Sequence, residues 1–406
     1  MLCSADTMFE SVEPAPPDPI FGLNEAFTED PSPVKINLTA GIYLDEEGRT
    51  PVFAAVKAAE QRILEEETSK SYLGIPGSVA YSAHVQRLAL GRDHPALAEG
   101  RVTAAHTPGG TGALRVAGDF IRSIHPDSTV WLTNPTWVNH GPIFLAAGLE
   151  VRSFPYFDRT KHALSYDEMM TALSEISAGD VVVLQGCCHN PSGTDPSAEQ
   201  WREIGNLLVD RGALPLLDTA YQGFGEGEEE DAQGQRLLSE IVPELLICSS
   251  FSKNFGLYNE RVGALILVTS SPSAAQASLS HIKRCIRANY SNPPAHGSKI
   301  VTTVLEDDEL RQSWSDELGR MRNRIRATRE QFARGLDERG VHLAPGGNAF
   351  ITHQKGMFSF SGLSVEQVTT LKEKHSVYIL GSGRISIAGM TPGNIDRVCD
   401  AIAALA

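Results

Sequence analysis

Five short apolar runs, TVWL (129–132), VVVL (181–184), LPLL (214–217), LLIC (245–248) and ALILV (264–268), constrain this chain more than any other feature. Each is about strand length, and most lack the polar alternation of a half-exposed strand. That is the pattern of parallel strands buried on both faces. Helix-length segments separate them, so an α/β sheet with right-handed crossovers is expected. Ligands of such open sheets bind beyond the carboxyl ends of the strands. The residues just past these runs are therefore the first candidates for chemistry.

At 406 residues the chain is too long for one ordinary core, and a large domain with a smaller companion is expected. Its start carries SVEPAPPDPI, rich in proline and acid, which reads as an extended arm. Over 52–69, Val52, Val56, Ala59 and Ile63 share one helical face. TPGGTGALR (107–115) leads into a second apolar helix. Beyond Glu309, Trp314, Leu318, Met321, Ile325, Phe332 and Leu336 trace a long helix whose other face carries Arg320, Arg322, Arg324, Arg326 and Arg329. The remainder, to Ala406, reads as a smaller α/β unit.

Charge decides how the arginine run is read. With 35 basic against 50 acidic residues the net charge is −15, so a solvated helix face is expected rather than a nucleic-acid surface. The same balance argues against anionic membranes, and no apolar run reaches the roughly 18 residues of a membrane span. Of the six cysteines, Cys187 and Cys188 are adjacent and lack CxxC spacing, so reduced, mostly buried thiols are expected and no metal site. The first residues have no signal-peptide pattern, and a reducing cytoplasm fits.

Polar and aromatic residues follow the strands. Asn134-Pro135-Thr136-Trp137 comes after the first run, Gln185 and His189-Asn190-Pro191 after the second. Asp218 and Tyr221 follow the third, and Ser250-Phe251-Ser252-Lys253 the fourth. A lysine in a partly desolvated site loses its proton readily and attacks an aldehyde. A lone lysine would be a surface charge, but Ser250, Ser252 and the downstream Arg261 add hydroxyls and a guanidinium suited to a phosphate. Gly109-Gly110-Thr111-Gly112 opens a helix, where backbone N–H groups can approach a phosphate. It is neither a Walker A loop nor a GxGxxG fingerprint. Asp218 at a strand end serves equally as a turn residue, but opposite a pyridine nitrogen it would keep that nitrogen protonated. Tyr221 could meet a phenolic oxygen, and Trp137 could stack on a ring.

Taken together, these segments resemble the aspartate/aromatic aminotransferases, class I of the fold-type I pyridoxal-phosphate enzymes. The matching stretches are TPGGTGALR (107–115), NPTW (134–137), GCCHNPSG (186–193), DTAYQGF (218–224), SFSKNFGLYNERVG (250–263), IRANYSNPPAHG (286–297), GMFSFSGL (356–363) and GRISIAGMTP (383–392). The resemblance implies a large domain with a mostly parallel central sheet (51–321), a small α/β domain (16–50 and 322–406) and an N-terminal arm (1–15). It implies transamination of acidic or aromatic L-amino acids with a 2-oxo acid such as 2-oxoglutarate, using pyridoxal 5'-phosphate, in a cytoplasmic homodimer with shared active sites.

By the same resemblance Lys253 is the Schiff-base lysine and the base for the proton shift. Asp218 pairs with the pyridinium nitrogen, Tyr221 and Asn190 meet the phenolic oxygen, and Trp137 covers the ring. Gly110, Thr111, Ser250, Ser252 and Arg261 hold the phosphate, joined by Tyr72 from the other subunit. Arg384 clamps the substrate α-carboxylate, with Gly41 and Phe358 nearby. Arg287 from the partner binds a side-chain carboxylate, favouring aspartate or glutamate without excluding aromatic substrates.

Two positions depart from that pattern. Gln185 stands where the pattern has histidine behind Asp218, and Thr39-Ala40 stands where it has glycine and an aliphatic residue before Gly41. Both neutral drift and retuned chemistry remain open. Retuning would mean β- or γ-elimination, replacement or carbon–carbon bond formation.

Overall fold

The structure is a computed structural model that describes residues 9–15 and 21–405. A seven-stranded sheet forms its centre. In chain order the strands are β1 (Val102–Pro108), β2 (Thr129–Asn134), β3 (Glu150–Pro155), β4 (Val181–Gln185), β5 (Leu214–Thr219), β6 (Leu245–Ser250) and β7 (Val262–Val268). They lie side by side in the order β1-β7-β6-β5-β4-β2-β3. All five apolar runs are strands of this sheet. Alternate residues feed cores on opposite faces: Val182 and Leu184 belong to one, Val181 and Val183 to the other. That is why the runs show no polar alternation.

The expectation of parallel strands fails at β7, which runs antiparallel to both β6 and β1. Residues 251–261 contain turns and no helix, and a parallel connection needs a crossover of about a dozen residues or more, usually helical. The reversal has a functional consequence. It brings the start of β7, and Arg261 just before it, to the edge where β6 ends, with Gly263 opposite Ser250. β1 and β3 carried no apolar run to announce them: β1 is VTAAHTP, and β3 is an edge strand with largely exposed side chains.

The helix expected from Val52 begins instead at Ala54 and ends at Glu66. Val56, Ala59 and Ile63 are buried on it, but Val52 precedes it and is exposed. The glycine-rich segment opens the helix Gly109–Ile124. The long helix spans Asp308–Glu338 and buries Trp314, Leu318, Met321, Ile325, Phe332 and Leu336 as expected.

Arg329 does not belong to the solvated face. It is buried, and its guanidinium donates to the carbonyls of Ile351 and Gly356 and to Ser359 Oγ at 3.0, 2.8 and 3.2 Å, and also to the carbonyl of Phe358. A loop whose carbonyls converge needs donors, and a guanidinium supplies five in one plane.

The smaller elements join the two ends of the chain. Ile36–Asn37 pairs in parallel with Val377–Tyr378, and Phe358–Phe360 pairs antiparallel with Arg384–Ser386. Helices Val365–His375 and Ile395–Ala403 pack beside them. The arm expected over 1–15 falls partly outside the described residues, and 9–15 are exposed with neither helix nor strand. Among the described residues, no helix is long and apolar enough to cross a membrane.

Candidate active site

A cavity of about 220 Å3 opens at the carboxyl edge of the sheet. Gly41, Gly110, Thr111, Trp137, Gln185, Asn190, Asp218, Tyr221, Ser250, Ser252, Lys253 and Arg261 line it, with Leu114, Ala220 and Tyr258. Residues from more than 200 positions of sequence thus meet where topology predicts a ligand.

At one end is an anion cradle. The N-terminus of helix Gly109–Ile124 contributes Gly110 and Thr111, and the helix dipole there favours negative charge. Ser250 Oγ donates to Ser252 Oγ at 3.2 Å, and Arg261 Nη1 reaches Ser252 Oγ at 3.2 Å. Gly109 has φ +71°, and a Cβ there would lie 2.5 Å from Arg261 Nη2. Only glycine lets the guanidinium lie against this helix start.

Lys253 follows, half-buried and lining the cavity. Burial pulls its amine from 10.5 down to about 8; Asp218 opposes the fall, while Arg261 and Arg384 assist it. A neutral nucleophilic amine is therefore accessible near physiological pH. Its Nζ lies 5.0 Å from the centre of the Tyr221 ring.

Asp218 sits near the end of β5, beside Gln185 of β4 in register. His140 Nε2 donates to its Oδ2 at 3.0 Å, and His140 Nδ1 lies 2.7 Å from Thr136 Oγ1. With the carboxylate fixing the proton on Nε2, Nδ1 accepts from the threonine hydroxyl. His140 is fully buried and meets Trp137 edge to face. His140 is a site residue that the strand-end pattern does not reveal. Its only local signal is its place four residues after Thr136, whereas its carboxylate partner is 78 residues away.

A second network holds a guanidinium. Arg384 is buried; its Nη1 donates to Asn190 Oδ1 at 3.1 Å and its Nη2 to the Thr39 carbonyl at 2.6 Å. Among the described residues its Nε is buried without a partner, and its Cζ lies 4.1 Å over the centre of the Phe358 ring. Asn190 Nδ2 reaches Tyr221 OH at 3.3 Å. Burial raises the Tyr221 phenol, with Arg384 opposing. Gln185 spends both ends of its amide on the backbone of Asn190, at 2.8 and 2.9 Å. It thus braces Asn190, and His140 supports Asp218.

Phe358 is buried behind Arg384, against Gly41, where a Cβ would lie 3.2 Å from its ring. Two candidates stand apart from the cavity. Tyr72 is 93% exposed, and Arg287, exposed on the last turn of helix Pro272–Asn289, donates to Ser291 Oγ. Tyr258, which follows no apolar run closely enough to be picked out from sequence, accepts from the Tyr43 amide at 3.0 Å. Cys187, Cys188 and Asp231 place their ligating atoms within 4.8 Å of one another, but Asp231 is occupied by the amides of Gly223, Gly225 and Glu226.

The donors fit a planar ring that carries a phosphate, an aldehyde and a ring nitrogen. Cradle, amine and carboxylate each have one such partner, and the unpartnered Arg384 Nε leaves a donor for a carboxylate beside it.

Comparison with known proteins agrees. The family described as "Aminotransferase class I and II" matches residues 33–402. The aspartate aminotransferase of Escherichia coli (strain K12) is 50% identical over 398 residues, covering 98% of this chain and 100% of that protein. The aromatic-amino-acid aminotransferase of Pseudomonas aeruginosa is 44% identical, over 97% of this chain and 98% of its own length. Among solved structures, the aromatic-amino-acid aminotransferase of Burkholderia pseudomallei, covalently bound to pyridoxal phosphate, superposes with a TM-score of 0.95 at 46% identity, covering 98% of this chain and 99% of that one. This chain belongs to the class I and II aminotransferases.

Proposed function

We propose that this protein transfers the amino group of an acidic or aromatic L-amino acid to a 2-oxo acid such as 2-oxoglutarate, with pyridoxal 5'-phosphate as cofactor. The observation that carries the reading is the amine of Lys253, pulled down to about 8 between an anion cradle and the Asp218–His140 pair. When bound, the cofactor supplies an electron-withdrawing ring that stabilises the charge left on the substrate α-carbon.

Gly110, Thr111, Ser250, Ser252 and Arg261 hold the phosphate. Asp218, oriented by His140, would pair with the ring nitrogen; Tyr221 and Asn190 would meet the phenolic oxygen; Trp137 would cover the ring. Arg384 binds the α-carboxylate as a fork and fixes the substrate's orientation. The neutral amine of Lys253 takes the proton from the α-carbon and carries it onward, and a second 2-oxo acid reverses the sequence, giving ping-pong kinetics.

The protein works as a cytoplasmic homodimer, in which the partner subunit's Tyr72 reaches the phosphate and the partner subunit's Arg287 binds a side-chain carboxylate. Both are exposed and neither lines the cavity of its own chain, which supports this. Of the small domain expected over 16–50 and 322–406, the described residues 21–50 and 322–405 close over substrate and exclude water; the pairing of Ile36–Asn37 with Val377–Tyr378 supports that grouping.

The test mixes cofactor-loaded protein separately with L-aspartate, L-glutamate and L-phenylalanine and follows its absorption without a keto acid. Conversion to the pyridoxamine form with one 2-oxo acid released per site is expected, and loss of this in Lys253→Ala. Ammonia or a β-substituted product instead would point to elimination or replacement.

A further inference from the structure

We infer that Thr39, Asn37 and Asn24 form a positioning bracket that sets the guanidinium of Arg384, and with it the affinity for carboxylate substrates; this rests on reading Arg384 as the carboxylate clamp. Thr39 is fully buried. Its backbone N–H and its hydroxyl both donate to Asn37 Oδ1, at 3.0 and 2.6 Å. With both donors turned toward Asn37, the Thr39 carbonyl is free to accept Arg384 Nη2 at 2.6 Å. Asn37 Nδ2 in turn donates to Asn24 Oδ1 at 2.8 Å, anchoring the turn to helix Phe21–Glu29.

The bracket closes from the other side as well. The Leu38 carbonyl accepts from the amide of Ser386 at 3.0 Å, two residues along the strand that carries Arg384. Consecutive carbonyls, of Leu38 and Thr39, therefore grip the backbone of this strand and the guanidinium that projects from it. A guanidinium binds a carboxylate well only when its fork is held in the right plane. Asn190 fixes one terminal nitrogen and Thr39 the other, leaving the buried Nε and the remaining N–H groups for the ligand. The hydroxyl of Thr39, which also lies 3.3 Å from Asn24 Oδ1, ties both asparagines to the peptide that aims its carbonyl. The threonine at this unusual position is thus a positioning residue that tunes substrate affinity without touching substrate.

The experiment uses the cofactor-loaded protein with Thr39→Val, Thr39→Ser and Asn24→Ala, and titrates each calorimetrically with succinate, an inert dicarboxylate. Thr39→Val keeps the volume and loses the hydroxyl. It is expected to weaken succinate about fivefold, the effect of one neutral hydrogen bond. Asn24→Ala should act in the same direction, and Thr39→Ser should retain wild-type affinity. The KM for L-aspartate should rise in parallel, with kcat within about twofold and the cofactor absorption band unchanged. Unaltered succinate affinity in Thr39→Val overturns the inference, and so does an equal loss in Thr39→Ser, which would assign the effect to packing. A wild-type protein that fails to bind succinate overturns both the bracket and the role of Arg384. A wild-type protein that converts no amino acid, while Thr39→Val still weakens succinate, refutes the aminotransferase reading and leaves the bracket standing.

Discussion

The amine of Lys253 illustrates how one residue carries both chemistry and a cost in stability. Its proton is lost near pH 8 in the folded chain because burial penalises the charged form, against 10.5 for a free lysine. Between those values the unfolded chain binds one more proton than the folded one, so stability rises with pH across that window. The penalty is fully present below about pH 8 and is relieved as pH approaches 10.5. In the cofactor-free protein, Lys253→Met should therefore be more stable than wild type at pH 7, on the order of 3 kcal/mol, with the gap narrowing to below about 1 kcal/mol by pH 10. Denaturant titrations at several pH values read this directly; a gap that does not change with pH rules it out.

His140 gives a second test at this scale. Removing its ring leaves a buried carboxylate on Asp218 without that donor, so His140→Ala should lower cofactor affinity about tenfold, measured by titrating the apoprotein with pyridoxal phosphate. Retained affinity would detach His140 from the cofactor's support. Lys253, Asp218 and Tyr221 were legible because each follows an apolar run. His140 was not, since its importance lies in a bond across the sheet to a distant strand.

Among the elements, strands were legible where burial on both faces is met by large apolar side chains, as in VVVL, and not in β1, whose buried residues include Thr103, His106 and Thr107. Direction was not. Residues 262–268 are as apolar as their neighbours, and their reversal depends on the length and turn content of the preceding loop. The helix Asp308–Glu338 was legible from its apolar spacing, while Arg329 was misassigned because spacing cannot reveal a cluster of loop carbonyls behind it. The start of helix Gly109–Ile124 yields a prediction at the same scale. Gly109→Ala requires a positive φ and puts a methyl 2.5 Å from Arg261 Nη2. A left-handed alanine costs roughly 1–2 kcal/mol, and Arg261 can swing outward, so the fold should survive. The anion cradle should not: cofactor retention through dialysis is expected to fall about tenfold, with the loss concentrated in the phosphate contact. Full retention would mean that Arg261 is not part of the cradle.

For the whole molecule, the sequence pattern of one chain says little about which of its side chains serve another copy. Tyr72 and Arg287 were singled out only through the resemblance, and in the single chain both stand apart from the cavity. An exposed tyrosine and an exposed arginine are unremarkable on a surface; they acquire a role only if a two-fold axis carries them to a neighbouring site. Hybrid dimers separate these cases. Lys253→Ala removes the amine from its own site, and Arg287→Ala removes the guanidinium that the chain would lend to its partner. Each variant alone should be slow with L-aspartate at concentrations below KM. If the sites are shared, refolding the two together in equal amounts yields half hybrids, and in each hybrid one site regains both groups while the other lacks both. Activity should then recover to about a quarter of wild type. If Arg287 instead acts on the site of its own chain, no site in any hybrid contains both native groups, and the mixture stays as slow as its parents. The measured recovery therefore decides whether the active site is a property of the chain or of the pair.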